Sequence, residues 1–172
     1  MGYEGSWSGM RKWLEKEMLA DSLQGRIRYG CTTYPEMDDC RIFEICVDNK
    51  TIKQFSWATV NSYFVANGCK TIQNPHGQIE YWDEFWSTLE QYPISQRTEY
   101  TDREFCDALA QYRKQDITSS LQCENPIVRM FAILDRRVGK RSLAKLQADL
   151  HTQPEWLQAF YRLRADAEKS NS

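Results

Sequence analysis

The hydrophobic positions in the N-terminal third of the chain change from a helical to a strand-like pattern. Trp7, Met10 and Met18 recur at helical spacing, which predicts an amphipathic helix that ends within residues 21–25. Apolar and polar residues then alternate in GRIRYGCTTY and in RIFEICV, as in strands with one buried face. The segment DNK suits a tight hairpin turn, after which TIKQF returns as a third strand. The pattern therefore predicts a small antiparallel sheet of about three strands.

From Ser56, a possible N-cap, the spacing of apolar residues becomes helical and mostly stays so. The segments SWATVNSYFVANG, EYWDEFWSTLEQY and TDREFCDALAQYR each predict a helix, and Thr101 with Glu104 forms a capping box at the start of the last one. Their aromatic stripes are typical of core packing. We expect an α+β single domain over residues 1–172, with a helix and sheet in 1–56, a helical portion in 57–168 and a frayed tail in 169–172.

The segment NPIVRMFAILDRRVGKRSL predicts two helices joined by a glycine turn. Asn125 is a good N-cap before Pro126 at the first helical position, and a continuous apolar face then runs to Val138. Gly139 follows this face where a helix stop is favoured, and a second apolar face starts at Leu143. A last helix is expected to begin near Pro154.

Composition narrows the class of protein. The chain has 172 residues, 41% of them hydrophobic and 13% aromatic, which excludes a disordered chain. No apolar run is long enough to span a bilayer, and the segment MGYEGSWSGMRKW lacks the apolar core of a secretory signal. We therefore expect a cytoplasmic protein that does not bind membranes.

Residues that would support catalysis or bind a metal are sparse. The six cysteines include no C-x-x-C pair, so we expect reduced thiols and no metal site. His76 and His151 are the two histidines, and the chain contains no P-loop, G-x-G-x-x-G, H-E-x-x-H or G-x-S-x-G motif. The sequence thus predicts no catalytic residues and no cofactor, and we expect that the protein is not an enzyme.

Charge is distributed in two opposed stretches, although the net charge is only −2. Residues 129–145 contain six basic side chains and one acid, whereas residues 80–107 contain eight acids and two arginines. Clustered arginines and lysines bind polyanions by displacing counterions. Charged helix faces are, however, usually only solvated. The basic stretch is therefore either an anion-binding device or the outer surface of packed helices.

Three segments, SLQGRIRYGCTTY, ICVDNKTI and NPIVRMFAILDRRVGKRSL, resemble a family of small bacterial cytosolic proteins without an established activity. The resemblance implies a bacterial cytosolic setting and names no reaction. Asn49 departs from the family pattern, in which glycine is expected at this turn position. The matching positions are Gly25, Arg26, Thr33, Tyr34, Asp48, Lys50, Asp135, Arg136, Arg137, Gly139, Lys140 and Arg141.

Two functions remain open from the sequence. The first is an interaction or immunity-type protein that binds a protein partner through an acidic helix surface, since complementary charge speeds association. Its predicted partner face consists of Asp83, Glu84, Glu90 and Asp102. The alternative is a nucleic-acid-binding or phosphate-binding accessory protein. Its predicted contacts are Arg136, Arg137, Lys140 and Arg141 in the turn at 136–141.

Overall fold

The computed structural model describes residues 5–34 and 40–171. The predicted N-terminal helix forms in two parts, α1 (Trp7–Lys12) and a π-helical turn (Trp13–Met18) that continues it. The hydroxyl of Ser6 accepts a hydrogen bond from the backbone N–H of Gly9 and so caps α1. A short 3₁₀ turn, Asp21–Leu23, then leads into the sheet.

The predicted antiparallel sheet is confirmed. Its strands are β1 (Ile27–Tyr34), β2 (Cys40–Val47) and β3 (Lys50–Phe55), in the order β1-β2-β3. Asp48 and Asn49 connect β2 to β3, and both have positive φ angles, 50° and 67°. This is the conformation that a two-residue type I′ hairpin turn requires, and Asp and Asn tolerate it.

Helices make up most of the remaining chain, as predicted, and the α+β fold class is confirmed. Ser56 caps the second helix and Thr101 with Glu104 forms the predicted capping box. The helices are α2 (Trp57–Ala66), α3 (Trp82–Gln91), α4 (Asp102–Lys114), α5 (Ile117–Leu121), α6 (Pro126–Leu134), α7 (Lys140–Gln147) and α8 (Glu155–Ser170), with 3₁₀ turns at Ile94–Gln96 and Leu150–Thr152. Helix α8 thus extends two residues into the predicted tail, 169–172, whose last residue lies outside the described ranges.

The buried apolar side chains of the described residues form two clusters. In the larger one, α6 is buried between the sheet, α4 and α8, and Phe105 packs against Phe43 at 4.5 Å and Phe131 at 5.6 Å between ring centroids. In the smaller one, Trp57 of α2 meets Phe85 of α3 at 4.4 Å. Helix α3 therefore packs mainly against α2 and leaves its other side open to solvent.

The turn between α6 and α7 differs from its prediction. Helix α6 ends at Leu134, and Gly139 is the N-cap of α7, with a φ of −89°, rather than a helix stop. The helix ends early because the N-terminal segment pairs with this turn. The backbone N–H of Arg136 donates to the carbonyl of Met18 at 2.8 Å, and that of Ala20 donates to the carbonyl of Leu134 at 2.9 Å. These tertiary hydrogen bonds replace the next turn of helix.

Candidate binding surfaces

Three of the four predicted partner-face residues lie together on α3. Asp83, Glu84 and Glu90 are all exposed. Asp83, Trp86 and Glu90 are separated by three and four residues, so they share one stripe of the helix. Phe85 projects to a different side of the helix and is fully buried in the smaller cluster.

Two large aromatic side chains accompany these acids. Tyr81 is 47% exposed and Trp86 is 38% exposed. The Trp86 ring is positioned from both sides, edge-on to Trp57 at 5.5 Å and under the guanidinium of Arg103 at 5.5 Å. We call Tyr81, Asp83, Glu84, Trp86 and Glu90 the α3 face. The sequence pattern predicts its aromatic members as core residues, and only the packing of α3 on α2 shows that they reach the surface.

Asp102 lies inside the fold and not on the exposed face with the other three, which corrects its prediction as part of that face. Its side chain accepts hydrogen bonds from the backbone N–H of Arg41 at 3.1 Å and from that of Arg103 at 2.8 Å. It therefore connects the start of α4 to β2. The acid spacing along the sequence could not show this, because Arg41 is distant in the chain.

Two further acids of the 80–107 stretch form ion pairs with buried basic side chains of the same chain. Glu99 forms an ion pair with the buried ammonium of Lys53 at 3.1 Å, and Glu104 pairs with the buried guanidinium of Arg97. Burial lowers the pKa of Lys53, and Glu99 opposes that shift. The negative stretch in the sequence is therefore not one surface, and its exposed part concentrates on α3.

The basic segment forms a tightly bonded turn around Asp135. The Asp135 carboxylate is buried and accepts from the backbone N–H and the Nη2 of Arg137, both at 2.7 Å, and from the hydroxyl of Tyr112. Burial and the neighbouring carboxylate raise the pKa of Tyr112, and the hydrogen bonds to Asp135 raise the pKa of Arg137. Asp135 and Arg137 therefore stabilise the structure of the turn.

A buried arginine that is absent from the sequence predictions supports the same turn from α8. Arg164 donates to the backbone carbonyls of Ile133 and Asp135, each at 2.9 Å, and of Val138 at 2.7 Å. Its Nε also donates to Glu168 at 2.8 Å. One feature of the sequence could have indicated that Arg164 is buried. Position 164 lies on the same side of α8 as its other buried residues.

The predicted anion contacts separate into two places. Arg136 and Arg137 line a polar cleft of about 360 Å³ together with Arg113, Trp13 and Tyr112. Arg113 stacks over Trp13 at 5.2 Å and is not expected there from the sequence. Lys140 and Arg141 are exposed in the first turn of α7 and do not line this cleft.

The family comparison covers all but the two ends of the chain. A model of the SF0329 protein family matches residues 6–165. The chain belongs to the SF0329 protein family. The matched residues include both the α3 face and the Asp135 turn. The searches of curated proteins and of solved structures found no match. Over residues 5–34 and 40–171, the chain contains no helix with the length and apolar character needed to cross a membrane.

Proposed function

We propose that this SF0329 family member is a non-catalytic protein of the bacterial cytoplasm that binds a protein partner through the α3 face. The observation that carries this proposal is the presence of two exposed aromatic rings, Tyr81 and Trp86, among the exposed acids of one short helix. Tyrosine and tryptophan are enriched among the residues that contribute most to protein–protein binding.

The chemistry of the α3 face indicates the kind of partner that it would bind. Trp86 would be buried by a complementary apolar pocket, and its ring is already oriented by Trp57, which lowers the entropy lost on binding. The carboxylates of Asp83 and Glu90, three and four residues from Trp86, flank it on the helix, and with the exposed Glu84 they favour a partner with a basic surface. An immunity-type protein that occupies and neutralises such a partner is the form of this function that we favour.

The experiment is an affinity purification from the bacterial host, followed by reconstitution with the purified partner. The double variant Tyr81→Ala and Trp86→Ala is compared with Tyr34→Ala, which removes an aromatic ring of similar exposure from β1. We expect a stoichiometric protein to bind the wild type and Tyr34→Ala, and to bind the double variant at least about tenfold more weakly. Equal binding to all three proteins would contradict the proposal.

The second candidate is the binding of nucleic acid or phosphate by Arg136, Arg137, Lys140 and Arg141. Its specific support is the cleft in which Arg136 and Arg137 lie with Arg113. The test is binding of a fluorescent single-stranded oligonucleotide at several salt concentrations. This function requires a steep loss of affinity with salt and a weaker salt dependence in the double variant Arg113→Gln and Arg136→Gln. Nuclease-resistant capture of a protein would favour the α3 face instead.

A further inference from the structure

A further candidate site, a cavity, lies far along the chain from the α3 face. A cavity of about 330 Å³ is enclosed by residues of α5, α6, α7 and α8 and by the 3₁₀ turn at Leu150–Thr152. Its lining includes Arg129 of α6, Lys145 of α7 and Gln153, with Leu146, Leu150 and Leu157 as apolar wall. This volume falls at the small end of known ligand sites.

Arg129 brings an unsatisfied donor to this cavity. Its Nε is buried from solvent and has no hydrogen-bond partner in the part of the chain that the structure describes. Among the described residues, no carboxylate forms an ion pair with its guanidinium, and burial lowers the pKa of Arg129. Leaving a buried N–H of a charged group without an acceptor costs free energy. The guanidinium of Arg129 is therefore open to an anionic acceptor supplied by a ligand.

Gln153 brings an unsatisfied acceptor to the same cavity. Its Oε1 is buried and receives no hydrogen bond from the residues within 5–34 and 40–171, while its Nε2 donates to the hydroxyl of Thr152 at 3.1 Å. Because Nε2 makes this hydrogen bond, the atom of the amide that has no partner is the acceptor Oε1. Two residues that line one cavity thus each carry a buried polar atom without a partner among the described residues, a donor on Arg129 and an acceptor on Gln153.

These groups specify the chemistry of an occupant. A carboxylate suits a guanidinium, because the planar fork of Arg matches its two oxygens. Lys145 adds a second cation at the lining, and Gln153 requires a hydrogen-bond donor on the occupant. That donor can be an amide N–H or an ammonium group. Asp149 also lines the cavity, and its carboxylate is compatible with the ammonium group. The leucines favour a short apolar side chain.

We propose that this cavity binds a small α-amino or N-acylamino acid with an apolar side chain. Arg129 binds its carboxylate, Gln153 accepts from its nitrogen, and the leucine wall covers its side chain. This proposal is independent of the α3 face, since it rests on different residues and on a different class of ligand.

The test is an NMR titration of the ¹⁵N-labelled full chain with N-acetyl-L-leucine and with L-leucine. N-acetyl-L-leucinamide, which has the same shape without the carboxylate charge, is the matched ligand control. We expect saturable shifts for residues 145–157 and for the Nε–H of Arg129 with at least one of the two acids, and none with the amide. Binding of neither acid, or equally tight binding of the amide, would overturn the proposal.

Variants assign the binding to the cavity. Arg129→Gln is expected to weaken binding of the acid at least about tenfold, because a charge-assisted hydrogen bond is lost. Arg28→Gln, at an exposed arginine of β1, is the matched control and should leave the affinity unchanged. If Arg129→Gln fails to fold, Gln153→Leu removes the acceptor from the other side and is expected to reduce the affinity as well. Unchanged affinity in the folded cavity variants would contradict the proposed site.

Discussion

The guanidinium of Arg164 in α8 donates to the backbone carbonyl of Asp135, 2.9 Å away, in the turn that follows α6. The side chain of Asp135 in turn accepts from the backbone and side chain of Arg137. The charge of this segment suggests a binding site. Its backbone carbonyls, however, accept hydrogen bonds from Arg164, and its Asp135 carboxylate accepts them from Arg137. Part of its basic character stabilises the fold.

Replacing Arg164 is expected to destabilise the protein strongly. Arg164→Met keeps an apolar stem but removes the buried guanidinium donor from the carbonyls of Ile133, Asp135 and Val138. The carbonyl of Asp135 still accepts from the backbone N–H of Val138 at 3.1 Å. Removing one partner from a buried charged network typically costs about 3 kcal/mol or more, so we expect a loss of that size in the free energy of unfolding. Urea denaturation measures it. Arg162→Met is the control, because that exposed arginine donates to Gln158 on the same helix and has no ion pair within residues 5–34 and 40–171. Equal midpoints for the two variants would show that the buried bonds do not stabilise the turn.

Arg137 and Arg141 should differ in their effect on stability although both belong to the basic segment. Arg137→Gln leaves the buried carboxylate of Asp135 without its ion-pair partner, and we expect a loss of about 2 kcal/mol. Arg141→Gln changes an exposed residue and should alter the free energy of unfolding by less than about 0.5 kcal/mol. Thermal and urea unfolding of the two variants check this order. A reversed order would mean that Arg137 is chiefly a surface charge.

Local rules predict the elements of this protein better than its surfaces. The hairpin, the capping box of α4 and the cap of α6 depend on neighbouring residues, and all three are confirmed. The end of α6 depends on Met18 and Ala20, which are distant in sequence, and for this reason the prediction of a helix stop at Gly139 is wrong.

The same limit applies to the binding surfaces. Helical spacing places Asp83 and Glu90 on one side of α3, but it cannot show that Trp86 is exposed or that Asp102 is buried. Those properties depend on which helix packs against which face. The cavity beside Arg129 is invisible in the sequence for the same reason, since its lining comes from several helices.

The hairpin between β2 and β3 offers a stabilising substitution. Asn49 has a φ of 67°, a conformation that glycine adopts without the steric cost of a Cβ. We expect Asn49→Gly to raise the free energy of unfolding by up to about 1 kcal/mol. Asn49→Ala is the matched control and should lower it, because alanine does not tolerate this φ. A lower melting temperature for Asn49→Gly than for the wild type would mean that the Asn49 side chain stabilises the turn by more than its Cβ costs.

Cys106 should make the protein less stable in alkaline solution. Burial raises the pKa of its thiol from about 9 to about 12, and the nearby Arg41 opposes the shift only in part. Between these two pH values the thiol is ionised in the unfolded chain and still protonated in the folded one. The unfolded state therefore binds fewer protons, and the free energy of unfolding falls as the pH rises from about 9 to about 12. One such group contributes up to about 1.4 kcal/mol per pH unit.

The variant Cys106→Ala should remove this contribution to the slope. Urea unfolding in the presence of a reducing agent, at steps from pH 8 to pH 11, gives the slope for each protein. The variant will be less stable near neutral pH because it leaves a small cavity, so the comparison concerns the slope and not the absolute stability. Burial also raises the pKa of Tyr29 and Tyr100, and some alkaline loss must persist without the thiol. If both proteins lose stability at the same rate above pH 9, the Cys106 thiol ionises in the folded state as readily as in the unfolded chain.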